Sequence, residues 1–370
     1  MFWCFITQEH LPSMMSLAFD KGYYRLLEIK KKVQYNMKVL VTGGLGFIGS
    51  HTCVQLLEGG HEVLILDNLS NSYSGTFDAI KYLHNGDISL GKTNILNLLE
   101  LRTVAKKFRP DAIMHFAGLK STSESLQVPL DYYETNVIGT WNLLKICAEF
   151  FVTKFIFSSS ATVYGVPTDL PIDENHKISP ITPYGHTKAV CEQLISDFCK
   201  SKKLDAYVLR YFNPVGAHHS GLIGENPLQE PNNLMPILSQ VASGKLKKVS
   251  VFGTDYETSD GSAERDYIHV SDLASAHLAA LHANKLPEQY NVFNVGTGKS
   301  TSVFDLIRAY EQSCGVVLPI EKVARRDGDV AQCWTDITKI SQQLEWSPKF
   351  DLDDMCKSSW RYVVKNQRIS

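Results

Sequence analysis

The chain has 370 residues, 44% hydrophobic and 21% charged, a balance that excludes disorder, collagen and a disulfide-stapled miniprotein and leaves room for two domains with their own cores. Lysine plus arginine number 37 against 39 acidic residues. The net charge of −2 therefore offers no long-range attraction to nucleic acid or an anionic membrane surface, and a small-molecule partner is expected. None of the eight cysteines forms a C-x-x-C pair, which speaks against zinc and a disulfide framework and for reduced thiols in a cytoplasmic protein; no metal is expected. No apolar run approaches the ~18 residues that cross a bilayer.

Residues 1–36 end in the basic, patternless IKKKVQYN and read as a disordered or loosely packed N-terminal extension, with Met37 as an alternative start. From Lys38 short buried strands alternate with amphipathic helices: KVLVT, a helix Ile48 to Glu58, EVLILD, a helix after Leu99, DAIMHFA, a helix near Tyr133 to Glu149, and KFIFSSS. A helix Tyr184 to Cys199, with Val190, Leu194, Ile195 and Phe198 on one face, leads into AYVLRYFN. These five strands, with room for a sixth, fit one doubly wound, Rossmann-like parallel α/β sheet over residues 37–213. Beyond Asn213 glycine-, proline- and asparagine-rich loops carry short helices, LMPILSQVAS and Asp272 to Ala283 with Asp272 as N-cap. Residues 214–370 thus read as a smaller, loop-rich α/β substrate domain.

After the first strand comes TGGLGFIG, with Gly43, Gly46 and Gly49 at three-residue spacing where a helix begins. Glycine is required where backbone turns sharply against a pyrophosphate, whose charge then rests on free helix amides. Asp67, 24 residues past Gly43 at the end of the second strand, is placed to accept from the adenosine ribose hydroxyls and to repel a 2′-phosphate, favouring NAD over NADP. The plainer alternative is a cap for the DNLSNS turn.

Tyr184 and Lys188 stand four apart in PYGHTK and share a helix face, a spacing that a surface helix also shows. Context gives it weight: the helix follows a strand that ends at Ser160, and ligands bind at the carboxyl ends of parallel strands. A phenol is a poor base at pH 7, but a lysine ammonium and a pyridinium beside it favour the phenolate.

The stretches TGGLGFIGSH, DNLSNS, IMHFAGLKS, FIFSSSATVYG, SPITPYGHTK, LRYFNPVGAH, PNNLMP, ERDYIHVSDLA and RRDGD resemble the extended short-chain dehydrogenase/reductase family, and most closely its UDP-glucose (UDP-galactose) 4-epimerase branch, from about Lys38 to Trp346. The resemblance implies an NAD-dependent isomerase acting on a UDP-hexose. It makes Tyr184 the base at the 4-hydroxyl, Lys188 the ligand of nicotinamide ribose and Ser160 the donor to the same sugar oxygen. It assigns Gly43, Gly46, Phe47, Ile48, Gly49, Asp67, Asn68, Asn71, Asn94, Ile95, Phe116, Ala117, Gly118, Lys120, Asn136 and Phe212 to the NAD site. Lys120, Asn213, Asn233, Leu234, Phe252, Arg265, Tyr267, Arg326, Asp329 and Cys333 fall to UDP-sugar, and a homodimer through the helices near Tyr132 and Tyr184 is implied. Arg265 and Arg326 suit a diphosphate and Asp329 a ribose, although RRDGD alone reads as a solvated turn.

Two positions depart from the family. Asn94 stands where an aspartate usually meets the adenine amine, and Cys333 where bacterial-type relatives carry a tyrosine that narrows the hexose pocket. The thiol leaves room for an acetamido group, so N-acetylated UDP-sugars are expected as substrates too. The nearest rivals are a nucleotide-sugar dehydratase or decarboxylase of the same superfamily and a catalytically silent NAD-binding protein. Dehydratases place an Asp-Glu pair after the serine strand, where this chain reads Ala161-Thr162-Val163. His115, His218, His219, Trp334 and Trp346 read as structural.

Overall fold

Strands whose two faces are both apolar bury both, and here they do so in one parallel sheet. The computed structural model describes residues 36–84, 86–228, 231, 233–326 and 328–367; apart from Asn36, the expected N-terminal extension lies outside them. Fourteen strands occur among the described residues: β1 Lys38–Thr42, β2 Glu62–Asp67, β3 Ile88–Lys92, β4 Ala112–His115, β5 Lys154–Ser160, β6 Asp205–Tyr211, β7 Asn213–Val215, β8 Val249–Phe252, β9 Glu264–Arg265, β10 Tyr267–His269, β11 Tyr290–Val295, β12 Thr301–Ser302, β13 Ile320–Val323 and β14 Gln332–Cys333. The main sheet runs β11-β6-β5-β4-β1-β2-β3, every pair parallel. The chain leaves β1 toward β2 and β3 on one side and resumes at β4 on the other. That is the topological switch point at which ligands bind in such sheets.

The sheet has seven strands rather than the expected six. β11 comes from beyond Asn213 and aligns Tyr290 with Ala206 through Val295 with Tyr211. β3 is an edge strand of half-buried and exposed residues, ISLGK, too polar to stand out as an apolar run. Val39, Val41, Val63, Ile65 and Met114 pack one face against helices Phe47–Glu58 and Val270–His282. Leu40, Leu64, Leu66, Ile113 and Phe157 pack the other against Leu98–Phe108, Gly139–Phe150 and Pro183–Ser201. A separate core of Val215, Leu238, Val249, Leu306 and Tyr310 holds the loop-rich lobe, with two-stranded β13-β8 and β10-β7 and three-stranded β12-β9-β14.

Local predictions needed correction where packing decided. Helix Pro183–Ser201 is capped by Thr182, whose hydroxyl accepts from Gly185 N. Its buried face is Tyr184, Thr187, Lys188, Cys191 and Ile195, while Val190 is exposed. Asp272 is not an N-cap: His269 caps that helix, and the Asp272 carboxylate instead accepts from Lys349 N and Phe350 N, both at 3.0 Å. The expected helix near Tyr133 is π-helical over Tyr133–Ile138 before the α-helix Gly139–Phe150 begins. Among the described residues no helix is long and apolar enough to cross a membrane.

Candidate active site

At the end of β1 the chain turns through Gly43, at φ +67°, and Gly43 N donates to Leu66 O at 2.8 Å. A β-carbon on Gly43 would lie 2.6 Å from Ala117 N, and one on Gly49 2.3 Å from Gly43 O, so neither position admits a side chain. Gly46 precedes the helix with no side chain capping it, leaving the first-turn amides to a ligand or water. Phe47 and Ile48 follow in that first turn, half-buried.

Asp67 closes β2, buried, and accepts from Leu45 N at 3.1 Å, Leu69 N at 2.9 Å and Ser72 Oγ at 2.8 Å. It therefore caps its own turn, yet a carboxylate has about four acceptor positions, leaving about one for a ligand. Asn68 accepts from Ser70, and Asn71 is exposed. Asn94 is exposed and its amide oxygen accepts from Leu96 N at 3.0 Å, while Ile95 is buried. The loop after β4 brings Phe116 and Ala117 beside the glycine turn, with Phe116 N and Ala117 N both donating to Thr42 O, and continues through Gly118, beside Asn136, to Lys120. Asn136, in the π-helical turn, accepts from Leu119 N at 2.8 Å and donates to Leu119 O at 3.1 Å and Thr187 Oγ1 at 3.0 Å. Thr187 in turn donates to Tyr184 O at 2.8 Å, so one network ties this loop to helix Pro183–Ser201. The tight turn, the free amides and the carboxylate suit a dinucleotide.

Ser160, at the end of β5, accepts from Thr162 N at 3.2 Å and Thr162 Oγ1 at 3.0 Å and keeps its own proton to donate. Tyr184 and Lys188 are buried beside it. Burial pushes the Tyr184 phenol up to about 12, against the opposing pull of a hydrogen bond with Ser160. Burial also pulls the Lys188 ammonium down to about 8. Lys188 Nζ donates to Ser158 O at 2.7 Å and lies 5.8 Å from the Tyr184 ring centre.

In the loop-rich lobe, β14 pairs with β9 so that Cys333 faces Arg265 in register, and Arg265 lies 3.5 Å from Asp329. Arg326 stacks at 3.6 Å over the Phe252 ring. Cys333 packs with Ala161 against Val163, Tyr164 and Phe212. Asn213 is exposed opposite buried Tyr267 in the β7-β10 pair. Leu234 turns into the lobe's core, whereas Asn233 remains at the surface and donates to Glu225 at 3.0 Å. Glu225, which also binds Lys120, went unnoticed in the sequence because nothing in GLIGEN marks a functional acid. Equally unmarked is the buried Arg210–Glu192 pair, at 2.6 Å, that braces β5, β6 and helix Pro183–Ser201.

A parallel sheet with a glycine turn at its switch point and a serine, tyrosine and lysine at one strand end define a dinucleotide-binding enzyme of the short-chain dehydrogenase/reductase class. The family model described as GDP-mannose 4,6 dehydratase matches residues 40–359. The UDP-glucose 4-epimerase of Bacillus subtilis is 44% identical over 331 residues, covering 89% of this chain and 98% of that protein. The UDP-glucose 4-epimerase of Stenotrophomonas maltophila, solved with NAD and a formylated UDP-arabinopyranose, is 43% identical with a TM-score of 0.87 over 90% of this chain and all of that one. That of Bifidobacterium longum, solved with NAD+ and UDP, is 41% identical with a TM-score of 0.86 over 89% and 99%. The chain belongs to the GDP-mannose 4,6-dehydratase family and, within it, to the UDP-glucose 4-epimerases.

Proposed function

We propose that the protein interconverts UDP-glucose and UDP-galactose by inverting carbon 4, with NAD held throughout as a prosthetic group. The observation that carries this reading is the convergence of Ser160, Tyr184 and Lys188 at a strand end followed by Ala161-Thr162-Val163, where a dehydratase needs acids to expel a hydroxyl. Residues 37–213 hold NAD and residues 214–370 hold the UDP-sugar.

Gly43, Gly46, Gly49 and the amides of Phe47 and Ile48 hold the pyrophosphate. Asp67 takes the adenosine ribose, and Phe116 to Lys120 line the nicotinamide half. Bound NAD supplies a hydride acceptor that is also the donor, so the reaction has no net redox change. Tyr184 takes the 4-hydroxyl proton and gives it back, Ser160 holds the same oxygen, and Lys188 keeps a positive charge beside the phenol. Arg265, Arg326 and Asp329 anchor the UDP end, which leaves the hexose free to present its other face.

Deuterium placed at carbon 4 of UDP-galactose tests this: it returns to carbon 4 of the UDP-glucose formed, whereas isotope lost to solvent, or a keto sugar as product, defeats the reading. The small Cys333 thiol supports a pocket that also accepts UDP-GalNAc. Wild type turns that sugar over and Cys333→Tyr does not; an inactive wild type ends the extension. Leu130, Ile138, Trp141 and Val190 stand exposed along the segments near Tyr132 and Tyr184, which supports a homodimer there, to be checked by sedimentation equilibrium. A cytoplasmic site is proposed from the free cysteines among the described residues.

A further inference from the structure

Lys120 is a flexible cation on a mobile stem, about half exposed, and a site that uses it must aim it. Glu225 does that in this structure: its Oε1 accepts from Lys120 Nζ at 3.2 Å and from Asn233 Nδ2 at 3.0 Å, while only 10% of its own side chain is exposed. The segment that presents Glu225 is held firmly on its N-terminal side. Ala217 and Gly224 bridge antiparallel, and His218 N donates to Ile223 O at 3.1 Å. From behind, helix Leu352–Gln367 fastens the loop tip, with Arg361 donating to His219 O at 2.8 Å and Lys365 to Ser220 O at 3.0 Å. Gly224 lies so close to Tyr362 that a β-carbon would stand 2.6 Å from its ring.

We propose that Glu225 is a positioning residue, a fixed anionic post that aligns Lys120 from the cofactor loop and Asn233 from the nucleotide lobe for one UDP-sugar. This rests on the functional reading above, which places both partners at the substrate. Glu225 touches neither reactant; it acts by limiting where its two partners point, so its loss weakens binding more than chemistry.

The test uses the full-length holoenzyme and reads the Kd for UDP alone by calorimetry, together with KM and kcat for UDP-galactose. E225Q, which keeps shape and removes charge, raises the UDP Kd and the KM about fivefold with kcat within twofold, and E225D restores most of the loss. Because Glu225 works through Lys120 as well as Asn233, E225Q costs less when added to K120A than it costs in the wild type. A UDP Kd unchanged in E225Q, or effects that multiply in the double variant, overturns the proposal. Should E225Q not fold, K120A and N233A are combined instead: a loss smaller than the product of the two supports coupling through Glu225, and a full product overturns it. A wild type that binds UDP but does not epimerise UDP-galactose defeats the function and leaves this binding test intact.

Discussion

Burial and the Ser160 hydrogen bond act on the Tyr184 phenol in opposite directions, and in the protein by itself burial wins, holding it up at about 12. Lys188, lowered by burial to about 8, still carries its proton at neutral pH. The protein alone thus keeps the phenol protonated, and a pyridinium cation placed beside it would favour the phenolate. We expect the tyrosinate absorbance assigned by difference against Tyr184→Phe to titrate near 12 without dinucleotide and roughly two units lower with NAD bound. An unshifted titration contradicts the role given to the cofactor charge. Tyr184→Phe itself lowers kcat roughly 10²- to 10⁴-fold with UDP affinity unchanged. Of the two readings of Asp67 open in the sequence, the turn cap is observed and still leaves room for the ribose.

The glycine turn is the element with least tolerance. Gly49→Ala places a methyl 2.3 Å from Gly43 O, and a helix start that must shift loses the close approach a pyrophosphate needs. The purified variant is expected to lose about 1–3 kcal/mol of stability and to retain less than about a tenth of the wild-type NAD, read by absorbance after precipitation. Helix Pro183–Ser201 is anchored by Glu192, which accepts from Arg210 Nε at 3.0 Å and Arg210 Nη2 at 2.6 Å and from Ser159 Oγ. Arg210 also donates to Tyr164 OH at 2.8 Å. Both charged partners are buried, so Glu192→Ala leaves an uncompensated guanidinium and costs about 3–5 kcal/mol in denaturant unfolding. A loss under about 1 kcal/mol would show that water reaches the arginine.

At the scale of the molecule, buried histidines set the acid limit. His51 and His115 are held neutral by burial, each lowered to about 3, and His277 to about 4. A base whose folded pKa lies below its unfolded value near 6.5 contributes stability that is complete above that value and is lost as pH falls below it. Each of the three removes about 1.4 kcal/mol per pH unit on the way down, about 2 kcal/mol each by pH 5. Together that rivals the whole stability of a typical domain. The urea midpoint is expected to hold from pH 8 to 7 and fall steeply between pH 6.5 and 5, with a shallower slope in His115→Gln. A midpoint unchanged at pH 5 would mean these imidazoles reach solvent.

Local chemistry made the five apolar strands β1, β2, β4, β5 and β6, the glycine turn, Asp67 and the Ser160, Tyr184 and Lys188 group readable from order alone, because each depends on residues close in the chain or at a fixed strand end. What only the tertiary structure decided rests on partners far apart. β11 enters the main sheet about 80 residues after β6, and Glu225 meets Lys120 across 105 positions. Asp272 serves Lys349 and Phe350 instead of its own helix. A hydrogen bond between distant residues leaves no periodic trace in either, since each side chain alone also suits a turn or a solvated surface. Packing selects among those options only once the sheet has brought the segments together.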